Sequence, residues 1–216
     1  MQNIINGKWA DSSDKKTMNI INPYTGKIVD TVPDSTEKDV KKAVEYAKKA
    51  QPKWAAIPVY KKVEILKKFL DLVDENRTDL AKTLCIETGK PITQSYAEID
   101  NVRIAFEAFM EKAKHIYGNV IPAGSEAGQD NTIQITVREP MGVMAAIIPF
   151  NLPIDLFDQK IAPAILAGNA VIVKPPHQNP STIIKIVALM HGAGVPNGVV
   201  QVLTGGARVG NALGLN

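Results

Sequence analysis

Cysteine is almost missing from this sequence, and the single residue Cys85 excludes an internal disulfide framework and any multi-cysteine metal site. Neither sign of charge dominates: 25 basic against 22 acidic side chains leave a formal charge of +3, spread along the chain. That removes the electrostatic footprint of a nucleic-acid binder and makes a small molecule the expected partner. Long hydrophobic runs are lacking too. The apolar stretch from Val143 to Phe150 is closed by Asn151 and Pro153, far short of the ~20 residues that span a bilayer, so no membrane partner is expected. The polar start Met1-Gln2-Asn3 has neither a charged n-region nor an apolar h-region, which points to a reducing, cytoplasmic setting. No metal-ligand spacing is visible. What remains is an ordinary globular composition, 45% hydrophobic over 216 residues, enough for one large or two small domains.

The chain changes character near Glu139, and the reading divides it into residues 1–139 and 140–216. In the first part, Asn6-Gly7 and Asn22-Pro23-Tyr24-Thr25-Gly26 are turn chemistry within a small β element. Thr36 with Asp39 forms a possible capping pair for a helix whose apolar positions are Val40, Ala43, Val44 and Ala47. Helical spacing returns in Val59, Val63, Leu66, Leu70 and Val73, around Leu80 and Leu84, and in Ile99, Val102, Phe106, Phe109 and Ala113. Gly89-Lys90-Pro91 breaks the series before the last of these helices. Their charges are expected to decorate wet faces, and Cys85 to be a buried structural thiol. Thr132 to Arg138 alternates Ile133, Ile135 and Val137 with polar residues, the pattern of a half-buried strand or an edge awaiting a partner.

In the second part, apolar strands alternate with helices, as in a buried parallel sheet. Strands are expected over 142–149, 170–174 and 199–203. Helices are expected from Pro153 to Leu166, from a Ser181 or Thr182 cap through Met190, and near Ala207 to Leu213. The fold class is therefore α/β: a helical amino-terminal segment plus a partial, doubly wound, Rossmann-like parallel sheet. Such sheets commonly continue to five or six strands, so truncation is the simplest physical explanation of the short series.

Ligands of doubly wound sheets bind beyond the carboxyl ends of the strands, where Asn151, Lys174 and Gly205-Gly206 fall. Asn151 suits two tasks, capping the helix that follows or donating its amide N–H to an oxygen that gains negative charge in carbonyl chemistry. Lys174 is either solvated or a point charge toward ribose hydroxyls or phosphate. The glycines before Arg208 would let backbone amides approach a pyrophosphate, although the spacing is not the usual dinucleotide fingerprint.

The runs Arg138-Glu139-Pro140-Met141-Gly142-Val143, Ile148-Pro149-Phe150-Asn151-Leu152-Pro153 and Ala167-Gly168-Asn169-Ala170-Val171-Ile172-Val173-Lys174-Pro175 together resemble the aldehyde dehydrogenase superfamily. Weaker echoes lie at Asn22 to Gly26, Glu87 to Pro91 and Gly194 to Val199, so the resemblance covers essentially the whole chain. It implies an amino-terminal portion of an enzyme that oxidises an aldehyde to a carboxylic acid with NAD or NADP. In that family a thiohemiacetal forms on a cysteine, hydride passes to the cofactor, and the thioester is hydrolysed or transferred to coenzyme A. It further implies that Asn151 stabilises the oxyanion and that Ile148, Pro149 and Phe150 line the cofactor channel. Lys174 would contact the adenosine ribose, Gly206 and Gly210 would pack on the pyrophosphate side, and Lys160 would support the active site. The strand at 132–138 would belong to an oligomerisation hairpin of a homodimer or homotetramer.

Two departures matter. Many NAD-preferring members carry a glutamate where this chain has His177; losing that carboxylate removes a repulsion toward a 2′-phosphate and favours NADP, with Lys174 and Arg208 as phosphate partners. Leu152, Asp155 and Gln159 stand where apolar side chains often line the substrate tunnel, which suggests a small or polar aldehyde. The family's catalytic cysteine and general-base glutamate have no counterpart here, so the chain alone is expected to be inactive. A non-catalytic nucleotide-binding or assembly module and a coenzyme A-acylating dehydrogenase or acyl reductase are the alternatives.

Overall fold

The computed structural model describes residues 1–215. Its central sheet has five strands in the order β2-β1-β9-β8-β7: β1 (Asn3–Ile5), β2 (Lys8–Ala10), β7 (Val143–Ile147), β8 (Ala170–Lys174) and β9 (Val200–Val202). The last three run parallel, with Ile147 opposite Lys174 and Val173 opposite Val202. The sheet is only partly parallel. The β1–β2 hairpin is antiparallel and adds to β9 through Ile4 and Val202, which covers an edge the sequence reading left open. Residues from both sides of Glu139 thus share one sheet.

Seven helices surround the sheet among the described residues. They are α1 (Glu37–Ala55), α2 (Val59–Glu75), α3 (Arg77–Thr88), α4 (Ile92–Ala113), α5 (Pro153–Leu166), α6 (Ser181–Gly192) and α7 (Ala207–Gly214). Alternation along β8 makes the fold doubly wound. Ala170 and Ile172 pack with Val40, Ala43 and Ala47 of α1 and Val209 of α7, whereas Val171 and Val173 join the larger core with α5 and α6. The larger core also takes Leu66, Phe69 and Leu70 from α2 and Val102 and Phe106 from α4, all fully buried. The helical amino-terminal part therefore packs directly on the sheet.

Local chemistry sets most boundaries. Thr36 and Asp39 form the expected capping box at α1. Gly89 ends α3 in the left-handed region at φ 72°, where a side chain would be strained. A separate hairpin of β3 (Thr17–Ile21) and β4 (Ile28–Pro33) flanks the helices, and β5 (Val120–Ile121) pairs with β6 (Gln134–Ile135).

Three expectations need correction. The strand expected over 132–138 is reduced to Gln134–Ile135, and Ile133, Ile135 and Val137 are all exposed, because β5 supplies the only pairing and no layer covers either face among the described residues. Helix charges do not all face water: Asp39, Lys62, Glu87 and Glu98 are buried, each used to satisfy backbone groups of another turn or element. Cys85 is half-buried rather than buried.

Candidate active site

The chain leaves β7 through Ile148, whose N–H donates to the Lys174 carbonyl at 3.0 Å and whose side chain is buried. The next residues emerge: Pro149, Phe150, Asn151 and Leu152 are exposed before α5 begins at Pro153. Asn151 does not cap α5. The N-cap position is Leu152, which has no side chain able to accept, and the Ile154 N–H donates instead to Glu98 Oε1 at 2.8 Å. Among the described residues the Asn151 side-chain amide has no hydrogen-bond partner. Of the two tasks open to this residue, the helix cap is not in use.

Asn151 lines a cleft of about 860 Å³ together with Phe150, Leu152, His177, Lys90 and Gln94. Phe150, Asn151, Leu152 and His177 were singled out in the sequence, and the fold brings them together. Lys90, which the sequence marked as part of a helix break and of a weak family echo but not as a site residue, reaches the Asn151 carbonyl at 3.4 Å and pairs with Glu98. Asn179, also missed, donates from Nδ2 to the Phe150 carbonyl at 2.9 Å. Its one signal was its place between His177 and Pro180, in a loop beyond a strand's carboxyl end.

Lys174 closes β8, and solvation was one of the two uses open to it. It is instead 7% exposed, its stem lying 3.7 Å from where a Cβ on Gly210 of α7 would stand. Among the described residues its Nζ meets only the Pro175 carbonyl, at 3.3 Å, and burial pushes the ammonium below its ordinary pKa. A cation with no anionic partner among the described residues, at the ligand edge of the sheet, suits a hydroxyl-rich or anionic ligand. A Cβ on Gly206, at the start of α7, would meet nothing within 4 Å, so the helix opens onto free space. Arg208 is committed elsewhere: its Nη2 donates to the carbonyls of Asp34 at 3.2 Å and Ser35 at 3.0 Å.

The substrate candidates separate. Leu152 shares the Asn151 cleft, whereas the Asp155 carboxylate accepts from Asn101 Nδ2 at 3.2 Å. Gln159 faces a second cavity of about 630 Å³ beside the open edge of β7, with Met141, Met144, Ile147 and Pro163. Lys160 donates to the Ile147 carbonyl at 2.6 Å and so ties α5 to the end of β7. Cys85, on α3, is not among the residues lining either cavity. Among the described residues no group of His, Cys, Asp or Glu could hold a metal ion, and no helix is long and apolar enough to cross a membrane.

Against this geometry, the family model described as the aldehyde dehydrogenase family matches residues 9–216. The chain belongs to the aldehyde dehydrogenase family. It is 38% identical over 206 residues to a glutarate-semialdehyde dehydrogenase of Pseudomonas putida, covering 95% of this chain and 42% of that protein. It is 36% identical over 216 residues to an NADP(+) succinate-semialdehyde dehydrogenase of Escherichia coli, covering 100% of this chain and 44% of that protein. An NADP-dependent glyceraldehyde-3-phosphate dehydrogenase from Bacillus halodurans, complexed with NADP, superposes with a TM-score of 0.94 at 31% identity, over 98% of this chain and 45% of that one. The chain therefore spans less than half the length of the relatives it matches.

Proposed function

We propose that this chain supplies the cofactor site and the oxyanion-stabilising asparagine of an NAD(P)-dependent aldehyde dehydrogenase that oxidises an aldehyde to a carboxylic acid. The observation that carries the reading is the uncommitted Asn151 amide, held at the carboxyl edge of a parallel sheet and facing a cleft. A neutral N–H donor there stabilises a carbonyl oxygen as it becomes anionic, and removing such a donor costs about 10² to 10³ in rate. When bound, the nicotinamide cofactor supplies the hydride acceptor. Lys174 would hold its ribose, with Ile148, Pro149 and Phe150 along its channel, the open start of α7 at Gly206 receiving its pyrophosphate, and Gly210, one turn on, letting that helix pack against the Lys174 stem. Family relatives that use NADP, and one solved structure holding NAD+, support this cofactor class.

His177 presents no carboxylate to a 2′-phosphate, so the reading extends to NADP use. Arg208 is engaged by Asp34 and Ser35, which leaves Lys174 as the phosphate partner the geometry favours. Asp155 and Gln159, polar residues on the first turns of α5, support a small or polar aldehyde although neither lines the Asn151 cleft, and the exposed β5–β6 hairpin supports a homo-oligomer. A cytoplasmic location is part of the same reading.

The thiol nucleophile belongs to the intact parent enzyme, because Cys85 is outside the cleft. The 216-residue chain alone would then bind cofactor weakly and oxidise nothing. That same position of Cys85 favours the second reading, a nucleotide-binding module without chemistry. The experiment is a steady-state assay of the intact enzyme with NAD+ and NADP+ across short polar aldehydes, beside Asn151→Ala. Turnover lost on that substitution supports the first reading; cofactor binding with no aldehyde oxidation under any condition supports the second.

A further inference from the structure

We propose that Lys90, Glu98 and Asn179 are positioning residues for Asn151, fixing the backbone on both sides of it so that its amide is aimed before a substrate arrives. The inference rests on the dehydrogenase reading above. Five consecutive residues, Ile148 to Leu152, connect β7 to α5, and the last four of them, Pro149 to Leu152, have exposed side chains that contribute little packing of their own. What holds them is main-chain chemistry. Asn179 Nδ2 takes the Phe150 carbonyl at 2.9 Å, Lys90 Nζ approaches the Asn151 carbonyl at 3.4 Å, and Glu98 Oε1 takes the Ile154 N–H at 2.8 Å. Lys90 and Glu98 form a short ion pair with each other, which couples the second contact to the third.

The three side chains come from different elements, the loop after α3, the middle of α4 and the loop before α6. Glu98 and Asn179 are 3% and 2% exposed, so both work at low local dielectric, where a hydrogen bond is stronger and an unmade one more costly. Replacing any of them frees one anchor of a segment otherwise held at its two ends, by the Ile148 N–H donating to the Lys174 carbonyl and the Leu156 N–H donating to the Leu152 carbonyl. Orientation is what such anchors supply. A displacement of about 1 Å at a reacting group can cost on the order of 10²-fold in rate even when the altered residue never touches substrate.

The test is a double-mutant cycle in the intact enzyme, using Glu98→Gln and Asn179→Ala, each alone and combined with Asn151→Ala. Glu98→Gln keeps the shape and weakens the ion pair; Asn179→Ala is the second route should the first fold poorly. Gln201→Ala, which removes a buried amide that holds the Ala43 carbonyl of α1 and lines neither cavity, is the control. Each positioning variant should lower kcat by about 10-fold to 10²-fold, a larger change than any in cofactor affinity, which Asn179→Ala also touches through Phe150. Combined with Asn151→Ala it should add almost nothing, because a residue that acts through Asn151 has nothing left to aim. The Gln201→Ala control should combine with Asn151→Ala without such coupling. Losses that multiply for both Glu98→Gln and Asn179→Ala would overturn the positioning proposal and leave the dehydrogenase reading intact. An Asn151→Ala variant with undiminished kcat would instead sink the reading beneath it.

Discussion

The carboxylate of Glu87 and the backbone of Thr182 lie 95 residues apart in the chain and meet at the first turn of α6, where Oε1 accepts the Thr182 N–H at 3.0 Å. Oε2 takes the Ser181 N–H at 2.7 Å. Neither Ser181 nor Thr182 caps this helix, as their sequence positions suggested; the cap arrives from α3. Because the first turn of a buried helix cannot reach water, its amides need this acceptor.

Glu87→Ala should therefore destabilise the fold by about 2 to 4 kcal/mol, since two backbone donors and the Thr182 hydroxyl lose their acceptor together. Burial pushes the Glu87 carboxyl up to about 7, against the pull of the Thr182 and Ser181 donors. Between the ordinary carboxylate value and about 7 the folded chain keeps a proton that the unfolded chain releases, so unfolding free energy falls as pH rises through that window. Urea unfolding between pH 4 and pH 8 measures the slope, and Glu87→Gln should flatten it.

Asp158 presents the opposite situation. It is fully buried on α5, and among the described residues neither carboxylate oxygen has a hydrogen-bond partner. Burial first, then the charges of Asp155 and Glu98, raise its pKa well above the ordinary value. At acid pH the group is neutral in both states. As pH rises the unfolded chain ionises it and the folded chain resists, so its contribution to stability is lost on that side. Asp158→Asn should leave stability at pH 4 within about 0.5 kcal/mol of the parent and raise it by about 1 to 3 kcal/mol at pH 8. Equal effects at both values would show that ionisation is not the cause.

On the cofactor site proposed above, His177→Glu should shift the intact enzyme toward NAD+. A carboxylate in the Asn151 cleft would repel a 2′-phosphate, and the ratio of NADP+ to NAD+ affinity should drop by about tenfold or more at low salt. Fluorescence titration with each reduced cofactor reads the ratio directly. An unchanged ratio would mean that the 2′ position lies away from His177.

Gly205 sits at φ 148°, and a Cβ there would stand 2.4 Å from Cγ2 of Val209. Gly205→Ala must displace the start of α7, at an expected cost of about 1 to 3 kcal/mol in stability. Thermal unfolding measures the loss. Since Lys174 lies under the same helix, cofactor affinity should weaken alongside it.

Much of the sheet and its helices could be read from pattern. The helix Pro153–Leu166 and the strand Ala170–Lys174 stand where periodicity and the Gly168 stop placed them, because each depends on a local signal. The α1 capping box is local in the same way. What escaped is non-local. Nothing near Ile4 announces that it will pair with Val202, and nothing near Glu87 or Glu98 announces that either will serve a helix that starts more than fifty residues later. A glutamate on a helix reads as a solvated charge until the partner helix is known. The Asn151 cleft divides along the same line: Phe150, Asn151, Leu152 and His177 came from two short motifs, while Lys90 and Asn179 needed the fold.

The meeting of Ile4 with Val202 also orders events during synthesis. At about 5 to 20 residues per second the ribosome needs on the order of 10 to 40 s after making the first strand to deliver its neighbour. Over that interval Ile4 and Ile5, both buried in the finished fold, stay available to chaperones or to the wrong edge. A bulky fusion ahead of Met1 would burden that wait most.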